Sequence, residues 1–593
     1  MKRMQKNTDR QVPCSRNLIA VGLILTLSGV AWAQSESRPS ANANSSTADS
    51  KEVKEEATRK PGFPAAPSFG IVQVQKINDE VRRVWMDNQI APSPPATDVE
   101  WCRRVYLDVI GRIPSVDELR AFVASRDSDR KAKLVNKLLT DEAYTDEYAR
   151  NWTTIWTNIL IGRNGGLDNN TMINREGMQK YLRDSLARNK PYDRMVYELV
   201  TAMGSTAPGA ESFNGATNFL VMKLDENAAQ ATAMTAKIFL GLQVQCTQCH
   251  NHPFNDWKQQ KFWEFNAFFR QTKSQRLGMR REMGNAKLMN QDFPGEGSPA
   301  NPAEAIIYYE ERNGELRSSF PVFVDGSEIS RSGYLSECDR RTELGKLIVN
   351  SPFMDKTMAN RMWQHFLGYG FTKPVDDLGP HNNPSHPALL DYLGEQFRYV
   401  SHDVKELIKW ITLSEAYSLS SRIGKGNGKD DPLLGEQPKF SHFYLRQLRA
   451  EELYESLLVA TEAHKTRGSF EEVERQKADW LRQFTIAFGT DEGDEATTFN
   501  GTIPQALMLF NGDLIKKATD VSNGSFLHRV AAGNIKPEAK IDYLFNAALS
   551  RDPTKDEFKI ANALLVARKG DGAAALQDIF WAVLNSNEFI IQH

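Results

Sequence analysis

The sequence predicts a mainly α-helical protein of two domains, with a small β-hairpin excursion between them. Three observations support this fold class. Apolar residues recur at helical spacing, as in Leu119, Phe122 and Val123, and again between Leu134 and Leu139. Helix-start signals occur near both ends of the chain. Between these regions, one Asn-Gly pair lies in a stretch rich in Tyr and Val, which is typical of a hairpin.

The N-terminus has the pattern of an export signal. Residues 1–17 are positively charged, residues 18–30 are apolar, and the sequence Ala-Trp-Ala ends at Ala33 with the small residues of a cleavage site. The apolar segment is shorter than the roughly 20 residues that span a bilayer. We therefore expect residues 1–33 to be a signal peptide. The mature protein would then be extracytoplasmic, in the periplasm or at the cell surface, with no stable membrane span.

Composition and periodicity divide the rest of the chain. Residues 34–69 are rich in Ser, Ala, Lys, Glu and Pro and bury too little apolar surface to order themselves, so we predict a disordered tether. Helical patterns then predict one domain over residues 70–275 and a second over residues 336–593. The linker of residues 276–335 contains AIIYYEERNGELRSSFPVFVDG, for which we expect a hairpin near residues 305–325.

Two segments far apart in the chain resemble each other, VYLDVIGRIPSVDEL near the start and LFNAALSRDPTKDEF near the end. Each contains a capping-box pattern after a proline, which predicts a helix, a turn and a second helix. An internal repeat and independent convergence on the same helix caps both explain this likeness. The matching pairs are Arg112 and Arg551, Pro114 and Pro553, Asp117 and Asp556, and Glu118 and Glu557.

The charge pattern excludes one class of partner. The formal net charge is −2, and acidic and basic residues are mixed along the chain. Because no basic field is present, nucleic acid is not an expected partner. The sequence gives no oligomeric state.

The segment QVQCTQCHNHPFNDW, residues 243–257, holds the motif with the most specific chemistry. In a C-x-x-C-H motif, two thiols can add to the haem vinyl groups while the histidine ligates the iron. This interpretation makes Cys246 and Cys249 the haem c attachment sites and His250 the proximal ligand. Export favours it, because the attachment takes place outside the cytoplasm.

Two other interpretations of the motif remain open. Cys246, Cys249, His250 and His252 are suitable in type as ligands of zinc or another transition metal, although four ligands on one tight turn are sterically difficult. A disulfide or redox dithiol between Cys246 and Cys249 also suits an oxidising compartment. The pairing state of Cys102 and Cys338 is open too.

The haem interpretation leaves the second iron ligand unassigned. His252 is too close to His250 in sequence to reach the opposite face of the iron. A five-coordinate iron would favour ligand binding or peroxide chemistry over pure electron transfer. The candidates elsewhere are His365, His381, His386, Met279, Met283 and Met289.

Longer motifs resemble a known family. The segments EWCRRVYLDVIGRIPSVDELRAFV, YARNWTTIW and FLGLQVQCTQCHNHPFNDWKQQKFWEFNAFF are similar to the exported planctomycete family called domain of unknown function 1549. From Arg340, RRTELGKLIVNSPFMDKTMANRMWQHFLGYGFTKPVDDLGPHNNPSHPALLDYL is similar to its usual companion, domain of unknown function 1553. With TIPQALMLFNG and FWAVLNSNEFIIQH, the resemblance covers residues 72–593.

The resemblance implies a setting rather than an activity. Members of this family often occur with planctomycete-type cytochrome c domains and carry the pattern C-x-x-C-H-x-H-P, here from Cys246 to Pro253. This chain has no second C-x-x-C-H. An electron-transfer role would therefore depend on the single motif or on an exported redox partner such as a cytochrome.

A second polar group lies in the C-terminal domain. Arg361 and His365 share one face of a predicted helix, and Asp376 and Asp377 follow it, so together they could bind an anionic group in a glycan-related hydrolase. The alternative is structural, with an Arg361–Asp377 ion pair and Ser385 capping the next helix. No phosphate-binding glycine loop, G-x-S-x-G or H-E-x-x-H motif is present.

These observations predict an exported c-type haem protein for electron transfer or redox chemistry. One alternative is a cell-surface scaffold or interaction protein with a structural disulfide or metal clip. Another is an extracytoplasmic glycan hydrolase with Arg361, His365, Asp376 and Asp377 near its site.

Overall fold

The computed structural model describes residues 66–593 except 169, 256, 278–283, 466–468, 490–504, 506, 507, 510, 569 and 570. The predicted signal peptide and all but the last four residues of the predicted tether lie outside the described residues. Met279 and Met283 lie outside them as well. The mainly α-helical prediction is confirmed.

Nine α-helices are described before residue 270, and local signals set where several of them begin. Thr97 starts α2 with a capping box: its hydroxyl accepts a hydrogen bond from Glu100 N, and the Glu100 carboxylate accepts one from Thr97 N. The helices are α1 Val72–Asp87, α2 Asp98–Ile110, α3 Val116–Ala124, α4 Arg130–Thr140, α5 Glu142–Ile161, α6 Arg175–Ala187, α7 Tyr192–Thr201, α8 Asp225–Leu240 and α9 Gln259–Asn266.

Twelve more α-helices are described after residue 339. Four precede residue 413: α10 Arg340–Asn350, α11 Pro352–Leu367, α12 Pro387–Tyr399 and α13 Val404–Thr412. The others are α14 Ala450–Thr461, α15 Phe470–Phe488, α16 Asp513–Ala518, α17 Phe526–Ala532, α18 Pro537–Leu549, α19 Lys555–Ala567, α20 Gly572–Leu584 and α21 Asn587–Ile590.

The described β-structure is small and antiparallel. Strands β1 Gly204–Ser205, β2 Thr272–Arg276 and β3 Ala286–Asn290 form a sheet in the order β1-β3-β2. Strands β4 Ile307–Glu310 and β5 Leu316–Ser319 pair around Gly314, whose φ of +84° suits glycine at the turn. This pair confirms the expected hairpin. Near the C-terminus, β6 Arg446–Gln447 pairs with β7 Ile591–Gln592.

Two hydrophobic cores hold the helices together. The first contains buried residues from Val74 to Tyr444, so helices of both predicted domains contribute to it. The second contains residues from Leu448 to Ile590 together with Leu107, Ile113 and Val116. Helix α2 therefore contacts both cores, and the cores do not divide at the predicted boundary near residue 336.

Two buried arginines of α2 hold the C-terminal residues. Arg103 donates a hydrogen bond to Ala548 O at 2.7 Å, and Arg104 donates one to His593 O at 2.7 Å. Burial lowers the pKa of each guanidinium to about 10, so both remain charged at neutral pH. The end of the chain thus packs against one of its first helices.

The two similar segments form the same arrangement. Arg112 bridges the carboxylates of Glu118 and Glu147, with N–O distances of 2.8 and 2.9 Å. Arg551 bridges Glu557 and Glu588 in the same way. Both predicted capping boxes are present, at Ser115 and Thr554. We call these arrangements the first and second arginine clamps, and their likeness supports an internal repeat.

The four described cysteines carry no disulfide. Cys102 and Cys338 are buried, whereas Cys246 and Cys249 are exposed.

Among the described residues, no helix combines the length and the apolar character that crossing a bilayer would require.

Candidate functional site

The C-x-x-C-H motif lies on a loop between α8 and α9, which we call the cysteine loop (residues 241–258). The two helices contact each other, and Asn266 of α9 donates a hydrogen bond to Asn227 O of α8 at 2.8 Å. Gly241 ends α8 with φ +61°, and a Cβ there would lie 2.7 Å from Thr357 Oγ1 of α11. Glycine is therefore required where the loop leaves the helix.

One short 3₁₀ turn, Gln245–Gln248, carries the first thiol of the motif. The carbonyl of Gln248 accepts hydrogen bonds from Gln259 Nε2 and Trp263 Nε1, each at 3.1 Å, which anchor the turn to α9. Cys246 and Cys249 are both exposed and unbonded. The structure thus presents both thiols at the surface on one rigidly held turn.

His250 has a defined tautomer. Its Nδ1 lies 2.7 Å from Asn251 O. A carbonyl oxygen only accepts hydrogen bonds, so Nδ1 carries a proton and the lone pair of the neutral ring lies on Nε2. Histidine ligands in metal sites usually have this arrangement, because the second hydrogen bond fixes the ring and makes the ligating nitrogen more basic.

His252 has the opposite tautomer. Its Nδ1 accepts a hydrogen bond from Phe254 N at 3.2 Å, so the proton of the neutral ring lies on Nε2. Burial and the neighbouring His381 lower the pKa of His252, whereas the charge of Asp377 opposes this shift. The ring is thus kept neutral and does not direct a free Nε2 lone pair towards the thiols.

His381 comes from the other predicted domain and contacts the cysteine loop. Its ring centroid lies 5.0 Å from that of His252. Its Nε2 lies 3.1 Å from Asp377 Oδ2, and its Nδ1 lies 3.1 Å from Asn255 Nδ2. The Asn255 amide is oriented by Trp257 N, which donates to its Oδ1 at 2.8 Å. His381 therefore donates from Nε2 to the carboxylate and accepts at Nδ1.

Besides the Asn255–His381 contact, three further polar contacts connect the cysteine loop and the end of α8 to residues 376–381, which we call the aspartate loop. Leu378 N donates to Gly241 O at 2.7 Å, and Gln243 Nε2 donates to Asp376 Oδ1 at 2.7 Å. The ammonium of Lys237 lies 3.2 Å from Asp376 Oδ2. These contacts, which we call the latch, place the aspartate loop beside the C-x-x-C-H motif.

The aspartate loop also acts electrostatically on the motif. Partial burial raises the pKa of the Cys246 thiol, and the negative charge of Asp377 raises it further. Asp376 and Asp377 are themselves only 8% and 7% exposed. The two aspartates therefore belong to the surroundings of the motif.

The predicted hydrolase site groups Arg361 and His365 with Asp376 and Asp377. Among the described residues, neither Arg361 nor His365 forms a hydrogen bond or ion pair with Asp376 or Asp377. Arg361 donates to Ile238 O at 3.5 Å.

His365 points elsewhere in the molecule. Its ring packs against Trp152, with centroids 4.8 Å apart, and its Nε2 lies 3.2 Å from Asp108 O. Burial lowers the pKa of His365 to about 3, so the ring is neutral and does not attract an anion.

The structural alternative for this group is wrong in both parts. Asp377 pairs with His381 rather than with Arg361. Ser385 does not cap α12, because the helix begins after His386 without a side-chain cap, and the Ser385 hydroxyl lies 3.0 Å from His386 Nδ1.

The other candidates for a second iron ligand lie elsewhere. His386 is 2% exposed between Phe371 and Phe440, and burial lowers its pKa to about 4. Met289 lies on β3, opposite Lys273 of β2. Among the described candidates, His381 is the one with a recorded contact to the cysteine loop.

The four proposed ligands of a non-haem metal do not converge. In the part of the chain that the structure describes, no group of three or more His, Cys, Asp or Glu side chains is placed to hold a metal ion. The geometry of the described residues adds no support to the non-haem site, which stays a prediction.

Sequence reasoning missed the residues that join the two loops, among them Gln243, Asn255 and Gly379. A Cβ at Gly379 would lie 2.8 Å from the His381 ring and 3.0 Å from Asp377 Oδ1. The signal that could have found this site is the run Asp-Asp-Leu-Gly-Pro-His, in which Leu-Gly-Pro separates a carboxylate from an imidazole.

Comparison with known families gives two matches along the chain. Residues 76–274 match the family described as protein of unknown function (DUF1549), and residues 340–497 match the family described as protein of unknown function (DUF1553). The cysteine loop lies within the first match and the aspartate loop within the second. No curated protein and no solved structure matches the chain.

Proposed function

The chain carries a DUF1549 domain followed by a DUF1553 domain, and on this premise we propose that it is an exported redox protein with c-type haem on Cys246 and Cys249. His250 is the proximal iron ligand in this proposal. The haem would supply a one-electron centre that exchanges electrons with an exported partner such as a cytochrome.

The observation that carries the proposal is the tautomer of His250. The hydrogen bond to Asn251 O holds the ring and leaves the Nε2 lone pair free. Iron ligation needs this nitrogen unprotonated, and it lies one residue after the second thiol of the motif. A C-x-x-C-H sequence without this orientation would be much weaker support.

The surroundings of the C-x-x-C-H motif also fit a covalently attached haem. Neither thiol is paired in a disulfide and both are exposed, as covalent attachment requires. Phe254 is 77% exposed beside the motif and presents an aromatic face to solvent there. A porphyrin would cover apolar surface of this kind. Gln259 and Trp263 hold the turn through Gln248 O, so the spacing of the thiols would be maintained.

The test is an absorption spectrum and a haem stain of the full chain exported in a host with a cytochrome c maturation system. We expect a Soret-absorbing protein that keeps its haem through denaturation, and loss of covalent haem in Cys246→Ala and Cys249→Ala. Cys338→Ala is the matched control, because it removes a thiol far from the motif in sequence and should keep the haem.

A colourless wild-type protein, or haem that persists in both motif variants, would overturn the proposal. In the first case, metal analysis together with a thiol count would distinguish a metal clip from a disulfide or a free dithiol.

A further inference from the structure

We propose that a cavity in the C-terminal half of the chain binds a small neutral molecule that combines a branched aliphatic group with a carbonyl oxygen. The cavity has a volume of about 360 Å³, and residues of the loop 421–445 and of strands β6 and β7 form most of its lining. This volume is within the range of small-ligand sites. None of the lining residues belongs to the C-x-x-C-H motif, so the inference does not depend on the haem.

Three large aliphatic side chains of this cavity face solvent. Ile423, Leu433 and Leu445 all line it, and they are 59%, 61% and 48% exposed. Single exposed aliphatic residues are common on protein surfaces, but several that share one cavity are typical of a ligand-binding groove. These side chains provide the apolar contact for a branched aliphatic group.

Three polar atoms of the lining residues lack hydrogen-bond partners. Within the described part of the chain, His442 Nδ1, Arg446 Nε and Gln447 Nε2 are shielded from water and yet make no hydrogen bond. Shielded polar groups are normally paired, because an unpaired one destabilises the fold. The Arg446 and Gln447 nitrogens can only donate hydrogen bonds. The missing partner is therefore an acceptor oxygen.

The charges around the cavity favour a carbonyl over a carboxylate. The Arg446 guanidinium already forms an ion pair with the buried Asp108. Asp431 lines the cavity, and Asp430 Oδ2 lies 3.8 Å from His442 Nδ1. Burial lowers the pKa of His442, so its ring is neutral at neutral pH. A ligand anion would therefore meet two carboxylates, whereas a neutral carbonyl oxygen accepts hydrogen bonds without this repulsion.

The lining is held in place before a ligand enters. The buried Asp430 carboxylate accepts hydrogen bonds from Ser441 N at 2.8 Å and from Tyr444 OH at 2.6 Å. Phe443 N donates to Ser420 O at 3.1 Å. A cavity formed in advance reduces the entropy cost of binding. Gln447 itself is only half-buried, so its amide can turn towards an incoming oxygen.

The experiment is saturation-transfer NMR with a calorimetric titration of the full chain, and the probe is N-acetyl-leucinamide. We expect a dissociation constant in the millimolar range or tighter, as for other ligands of this size. N-acetyl-leucine, which carries a carboxylate, and N-acetyl-asparaginamide, which has a polar body, should bind about tenfold more weakly or less.

Two variants test the two parts of the lining. Leu433→Asp should weaken binding about tenfold or more, because it places a charge among the aliphatic side chains. Leu434→Asp is the matched control: this neighbouring leucine is 79% exposed but is not among the lining residues, so the affinity should stay that of the wild type. Gln447→Met keeps the side-chain length but removes the amide donor, and it should weaken binding about tenfold.

Three results would overturn the inference. Absence of saturation transfer to N-acetyl-leucinamide at millimolar concentrations would show that the cavity does not take this class of molecule. Equal losses of affinity in Leu433→Asp and Leu434→Asp, with both variants folded by circular dichroism, would place the ligand elsewhere. Equal or tighter binding of N-acetyl-leucine would contradict the neutral head group. Each of these results is independent of the haem content of the protein.

Discussion

Removing the carboxylate of Asp376 should loosen the cysteine loop without unfolding the protein. In Asp376→Ala, Gln243 Nε2 loses an acceptor at 2.7 Å, and Lys237 loses an ion-pair partner at 3.2 Å. A hydrogen bond to a charged group contributes about 1.5–3 kcal/mol. The Lys237 side chain is 38% exposed, so its ion pair adds only a few tenths of a kcal/mol.

We expect the free energy that keeps the cysteine loop closed to fall by about 2 kcal/mol, which corresponds to a roughly 30-fold higher population of the open loop. Amide hydrogen exchange measures this population directly when closing is faster than exchange. Peptides that contain Thr247 and Leu378, whose amides donate to Val244 O and Gly241 O, should exchange about 30-fold faster in the variant. Peptides from α14 and α18, in the second core, should keep their wild-type rates.

Two variants serve as controls. Asp376→Asn keeps an acceptor for Gln243 but loses the charge, so exchange should rise only about fivefold. Asp391→Ala removes a carboxylate that pairs with Lys356 at 2.6 Å elsewhere on the domain, and it should leave the loop unchanged. Exchange within twofold of wild type in Asp376→Ala would refute the latch, as would equal effects of Asp376→Ala and Asp391→Ala.

Three further predictions concern the arginine clamps and the thiol. Calorimetry should show that the free energy of unfolding falls by about 3–4 kcal/mol in Arg112→Ala, because the Arg112 side chain is only 9% exposed. In Arg551→Ala it should fall by about 1 kcal/mol, because the Arg551 side chain is 25% exposed. Equal decreases in the two variants would contradict the argument from burial. Burial raises the pKa of Glu118, but the ion pair with Arg112 outweighs it and holds this pKa at about 2, below the value in the unfolded chain. The Glu118 carboxylate therefore stabilises the fold fully above about pH 4.5, and this stabilisation is lost as the pH falls towards 2. The free energy of unfolding should therefore fall less between neutral and acidic pH in Glu118→Gln than in the wild type, by up to about 3 kcal/mol. Denaturant titrations over this pH range measure the difference. Asp377→Asn should speed iodoacetamide alkylation of Cys246 about twofold or more at pH 8 relative to the other motif thiol, because it removes a charge that raises the Cys246 pKa; an unchanged ratio would contradict this cause.

Much of the fold follows from local sequence signals. The capping boxes at Ser115 and Thr554 start helices where the pattern predicts them, because the signal lies within four residues. The Asn-Gly pair likewise predicts the hairpin of β4 and β5. Strands β1 and β6 could not be predicted, since each has two residues and exists only because a distant strand pairs with it.

The site divides in the same way between local and distant information. The sequence alone identifies Cys246, Cys249 and His250, because their chemistry depends on their spacing. It also marks Asp376 and Asp377 as notable, but groups them with Arg361 and His365, which are near in sequence. The structure instead shows Asp376 bonded to Gln243 and Asp377 paired with His381. The contact between Gln243 and Asp376 joins residues 133 positions apart, so no local sequence pattern could have predicted it.

The latch cannot by itself bring the two loops together. Closing a chain of this length costs about 4 kcal/mol of entropy, which is more than the roughly 2 kcal/mol expected of the Asp376 contacts. The difference has to come from the first core, in which α8 packs against α11. Met354, Met358 and Met362 of α11 are at most 1% exposed there, and each buried side chain of this kind contributes about 1.5–3 kcal/mol. The shared core therefore sets the position of the aspartate loop, and the latch selects its orientation beside the motif.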